Sequence, residues 1–206
     1  MIEALIGLGG VIVGSAITVS KDVWIARLER RRNASFAAMR IIGVLDQFVE
    51  TCVDVVFDDG TIQGQLAGRT KDGQEYAIAQ VQCPSGLSFP EDLEWKSLGN
   101  SLMYQVLALP PKVNQANRYV DYWANNSFGP DADDFFEARQ ESFAELGLEA
   151  IELSGQVRRK FGIPDHQPPA WNPDWDPKKF LLDKKKSIAE RNKRSPIPLE
   201  GTEDGN

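Results

Sequence analysis

Positions 4–19, ALIGLGGVIVGSAITV, are apolar or small and carry no charge. Lys21 and the cluster Arg27, Arg30, Arg31 and Arg32 follow directly. As a helix the run spans roughly 24 Å, against a hydrocarbon core of about 30 Å. Ile2 and Ser20 extend it, Lys21 can snorkel outward and Trp24 suits an interface. The pattern predicts a transmembrane anchor over residues 1–21. The flanking arginines then place the N-terminus outside and the rest of the chain in the cytoplasm, at the inner membrane. A signal peptide would need a positive leader, and Glu3 stands there instead. A buried helix of a soluble protein is the stronger competitor, because the run is short. Gly7, Gly10 and Gly14 put small residues on the run, a pattern that lets two membrane helices pack closely.

Beyond the run no proline breaks the helix. Ala38, Ile41, Ile42, Leu45, Phe48, Val49, Cys52, Val55 and Val56 recur at three- and four-residue spacing, the stripe of a core-facing helix. Asp46, Gln47, Glu50 and Asp54 are assigned to the outer face, and Asp58-Asp59-Gly60 ends the helix. Residues 58–89 are punctuated by glycine and read as an irregular loop, with a hairpin of 62–66 and 76–81 around Lys71-Asp72-Gly73 as the alternative. Ser88 and Glu91 have capping-box spacing, with Pro90 in the first turn. Two short helices follow, split at Gly99-Asn100 and stopped by Leu109-Pro110-Pro111. Lys112–Asn125 forms the next. A long helix then covers about 131–161, with Phe136, Phe143, Ala150 and Val157 every seven residues and Leu146 and Leu153 between them. Gly162-Ile163-Pro164 is a Schellman-type stop.

Prolines crowd the sequence after residue 164, so 165–206 reads as an extended, charged, disordered tail. Within it, Phe180–Arg194 has the composition of a short basic helix. The fold class is therefore mainly α. An N-terminal transmembrane helix runs into a cytoplasmic antiparallel helical bundle (22–164), followed by the tail.

Composition changes this picture little. The net charge of −7 over 206 residues excludes a general nucleic-acid binder. Two cysteines, Cys52 and Cys83, are too few for a disulfide scaffold, and a single histidine, His166, builds neither a zinc site nor a triad. No phosphate loop, HExxH or GxSxG occurs. Three stretches, CVDVVFDDG (52–60), FPEDLEWKSLGNSLMYQVLALP (89–110) and FFEARQESFAELGLEAIELSGQVRRKFGIP (135–164), resemble an uncharacterised group of small bacterial proteins predicted to be single-span and helical. The resemblance covers residues 1–164. It implies an architecture and brings no activity or site residue with it.

No catalytic residue, cofactor or metal ligand is assigned. Asp131, Asp133, Asp134, Glu137, Glu141 and Glu145 could hold a hard cation or act in acid–base chemistry, but they also suit a solvated helix face. Lys21, Trp24, Arg27, Arg30, Arg31 and Arg32 are assigned to the membrane interface, and Trp171 and Trp175 to docking of the tail. The reading is a membrane-tethered, non-enzymatic scaffold, adaptor or regulator. Its expected partners are the membrane, an unidentified protein and a second copy through the anchor. The alternatives are an enzyme using an acidic helix face with a divalent cation, and a soluble self-associating bundle.

Overall fold

The structure is a computed structural model that describes residues 2–127 and 133–194, and no side chain at 2–20, 22, 23 or 194. Helix α1 (Ile2–Phe57) is unbroken. Two small hairpins follow, β1 (Thr61–Ile62) with β2 (Gln65–Leu66) and β3 (Gly68–Arg69) with β4 (Glu75–Tyr76). A 3-10 turn, Trp95–Leu98, precedes α2 (Asn100–Asn126), α3 (Asp133–Phe161) and α4 (Pro177–Arg194). Helix α3 is the hub, and α1, α2 and α4 all pack on it.

The stripe from Ala38 to Val56 is buried throughout. It meets Phe143, Leu146, Ala150, Leu153 and Val157 of α3. The seven-residue repeat on α3 becomes this seam because it keeps apolar side chains on one face over several turns. At Gly162 (φ +66°) the Ile163 N–H donates to the Arg158 carbonyl at 3.0 Å, closing the Schellman turn. Gly147 sits where three helices converge. A Cβ there would lie 2.8 Å from Leu181 Cδ1 on α4 and 3.0 Å from Cys52 Cβ on α1. Gly147→Val should therefore cost about 1–3 kcal/mol in urea unfolding, because neither neighbouring helix can move away alone. A loss below half a kcal/mol would show that the contact is slack.

Several expectations are corrected. Among the described residues no helix is long and apolar enough to cross a membrane. The transmembrane anchor is corrected on that finding, together with the inner-membrane placement and the orientation that rested on it. The physical reason is length: 16 uncharged residues reach roughly 24 Å, short of about 30 Å of hydrocarbon. The backbone of 4–19 is helical and continuous with the bundle helix. The side chains there, and the packing face at Gly7, Gly10 and Gly14, lie outside the described ones.

The long hairpin across 62–81 does not form. Gln63 (φ 52°) and Gly64 (φ 78°) instead make a two-residue turn with both φ values positive, which pairs Ile62 with Gln65. Lys71-Asp72-Gly73 turns a second short hairpin. No helix opens at Ser88–Pro90; only the 3-10 turn forms. Pro110 and Pro111 do not stop a helix but lie inside α2. Each lacks an N–H for the carbonyl four residues earlier, a loss of about 3 kcal/mol or more in an isolated helix. Leu109 and Val113, buried on either side of the pair, fix the helix against the core.

The tail is not wholly extended. Asp176 caps α4, accepting the Lys179 N–H at 3.1 Å, with Pro177 at the first helical position. Leu181 and Ile188 are buried, and α4 packs on α3.

Candidate functional site

Asp58 stands at the end of α1, where the chain leaves the helix. Its Oδ1 accepts the Gly60 N–H at 2.9 Å. Its Oδ2 accepts the N–H groups of Gln80 and Val81, both at 2.9 Å, and Arg139 Nη1 at 3.0 Å. Arg139 Nη2 donates to the Val81 carbonyl, and Gln140 Nε2 donates to the Asp58 carbonyl at 3.0 Å. The Arg139 guanidinium also lies 5.4 Å from the Phe135 ring centroid and 5.6 Å from that of Phe136. Both charged side chains are almost fully enclosed, at 2% exposure for Asp58 and 1% for Arg139. Burial opposes ionisation of Asp58. The N–H bonds from Val81 and Gly60 and the guanidinium outweigh it, so the carboxyl stays below the usual aspartate value. This node joins α1, the segment after β4 and α3. The partners around the Asp58 carboxylate hold the fold and leave little room for a substrate.

Beyond Phe136 an open groove of about 710 Å³ is lined by Asp59, Leu66, Ala77, Glu137, Lys184 and Arg191, among others. Burial, then the neighbouring Arg191 charge, push Lys184 below its ordinary value, and Asp59 partly opposes them. Glu137 is already engaged by Arg191 at 3.5 Å and by Asn192. Asp59 accepts from Thr61 at 3.0 and 2.8 Å. Among the described residues no group of three or more His, Cys, Asp or Glu side chains is placed to hold a metal ion. Asp131, one of the carboxylates singled out in the sequence, lies outside the described residues.

A second polar cluster corrects the outward assignment of Asp46. Its carboxylate accepts Ser154 Oγ at 2.7 Å and Arg158 Nη2 at 2.5 Å, with His166 Nδ1 at 3.7 Å. Ser154 donates to the carboxylate and not to the imidazole, so a nucleophile–base relay is absent from this trio.

The residues assigned to an interface fall elsewhere. Lys21, Trp24, Arg27, Arg30, Arg31 and Arg32 are all exposed on α1. Every residue from 24 to 33 is exposed, and burial begins only at Ala37. Trp24 is 65% exposed, Phe36 63% and Met39 55%, with Ile25 and Leu28 also open to solvent. Trp171 and Trp175 separate: Trp171 is exposed, while Trp175 packs on Phe180 with ring centroids 5.6 Å apart.

The Asp58–Arg139 pair was missed in the sequence. Its only local sign was an arginine inside the apolar repeat of α3, between Phe136 and Phe143. Comparison of the chain with protein families, with curated protein sequences and with solved structures finds no match in any of the three.

Proposed function

We propose that the chain is a non-enzymatic adaptor that presents the outer face of α1 to a helix of another molecule. One observation carries this reading. Ile25, Leu28, Phe36 and Met39 fall on one face of α1 at helical spacing, and all of them are exposed. That face is distinct from the one buried against α3. Phe36 and Met39 lie opposite the start of the face buried in the bundle, while Ile25 and Leu28 lie on the part of α1 that is exposed all round. The open stripe thus runs from the bundle onto a free stretch of helix that can receive another helix. The polar clusters support the adaptor reading too. Asp58, Arg139, Asp46 and Arg158 are committed to partners within the fold.

A photo-crosslinking amino acid placed at Phe36 tests this in cells, with the exposed Arg118 of α2 as control. The expected result is one discrete adduct from position 36 and none from 118. No adduct at 36, or the same ladder from both positions, would discard the reading.

A further inference from the structure

Resting on that adaptor reading, we infer that the partner is an acidic amphipathic helix, docked along the stripe Ile25, Leu28, Arg32, Phe36 and Met39. These positions follow one another at intervals of three or four residues, so they form one continuous face. Between Lys21 and Met39 the chain carries five cations against Asp22 and Glu29, in a protein of net charge −7. Among the described residues no carboxylate pairs with Arg27, Arg30, Arg31 or Arg32. Arg40, one turn beyond Phe36, is different: it is tied to Asp92 at 2.8 Å. The four arginines are therefore exposed cations flanking and interrupting an apolar stripe.

The place of Arg32 selects among occupants. It lies within the stripe, between Leu28 and Phe36. A lipid surface that took up Leu28 and Phe36 would also have to take up the guanidinium between them, which is costly in hydrocarbon. A second copy fares no better. Antiparallel pairing about the stripe centre sets Arg32 against Arg32, and parallel pairing sets each arginine beside its twin. A helix with its own apolar stripe and glutamates beside it meets both demands. Its carboxylates can accept from the arginines in the fork geometry that guanidinium prefers, while its apolar residues cover Leu28 and Phe36.

The test uses the full chain and two labelled synthetic helical peptides with identical leucine stripes. One carries glutamate at the flanking positions, the other glutamine. Fluorescence anisotropy is expected to show the glutamate peptide binding about ten-fold or more tightly at low salt, the gap closing by about 0.5 M NaCl. Arg30→Glu with Arg31→Glu should abolish the preference, and Leu28→Ser with Phe36→Ser should weaken both peptides. All four positions are exposed, and circular dichroism melts check that the bundle persists. Equal binding of the two peptides would overturn the acidic partner and leave the adaptor reading standing. A concentration-dependent dimer in sedimentation velocity would likewise overturn the acidic partner alone, whereas binding to phosphatidylglycerol vesicles in place of the glutamate peptide would overturn the acidic partner and the helix-receiving adaptor together. No binding of either peptide, with no effect of Phe36→Ser, would overturn both.

Discussion

Arg139→Ala is expected to destabilise the fold by about 3–5 kcal/mol, because it strands the Asp58 carboxylate in a site closed to water. Asp58 would keep its bonds from Gly60, Gln80 and Val81 but lose the guanidinium paired with it. Val81 would lose the donor on its carbonyl, and Phe135 and Phe136 the charge over their rings. Urea unfolding at neutral pH measures the loss, and a change under 1 kcal/mol would show that water reaches the node. The pH dependence has a definite sign. The folded-state value for Asp58 is depressed, so its contribution is present above the ordinary aspartate value of about 3.9. It is lost as pH falls through the lower folded-state value. Removing Arg139 takes away one of the groups that depress it, so the acid limb of the stability profile should move to higher pH.

Gly60→Ala should cost about 2–5 kcal/mol, and Gly64→Ala much less, although both glycines have φ +78°. The left-handed backbone costs a residue with a Cβ roughly 1–2 kcal/mol at either position. At Gly64 nothing lies within 4 Å of the added atom. At Gly60 it would run into the Phe136 ring and the Ala77 Cβ, adding an overpacking cost of about 1–3 kcal/mol. The Ile78 N–H donates to the Gly60 carbonyl at 3.0 Å, so the turn cannot swing away without losing that bond. Equal losses at the two glycines would mean that backbone strain alone matters and that Phe136 yields freely.

The two predictions meet at one place, where α1 ends. Asp58 fixes the backbone of Gly60, Gln80 and Val81, and Gly60 gives Phe136 room to lie beside the turn. Phe136 in turn forms one wall of the groove and lies beside Arg139. The packed half of α1 is thus anchored by this node at one end, and the helix emerges exposed at the other. That polarity joins the outer stripe of α1 to the bundle through one continuous helix, as the proposed adaptor role requires.

Much of the architecture was legible in local periodicity. The Ala38–Val56 stripe and the α3 repeat each follow from a spacing that places side chains on one helix face. The Gly162 stop follows from the one residue type that enters the left-handed region cheaply. The charge-free run at 4–19 misled, because absence of charge is read more easily than length. Pro110-Pro111 misled because a local rule was opposed by burial of Leu109 and Val113, which lies outside its reach. The docking of α4 depended on Leu181 and Ile188 finding the α3 surface, and two apolar side chains one heptad apart are too few to announce that.

The sequence by itself determined the helical course of α1 and α3, their core-facing stripes and where the basic cluster falls, because these depend on neighbours within one or two turns. The tertiary structure alone decided that Asp58 meets Arg139, 81 positions away, and that Asp46 turns inward to Arg158. It also decided that of two apolar stripes on α1 one is covered by α3 while the other stays open. A charge in the sequence carries no record of its partner, since pairing is set by which helices come together and not by the residues beside it.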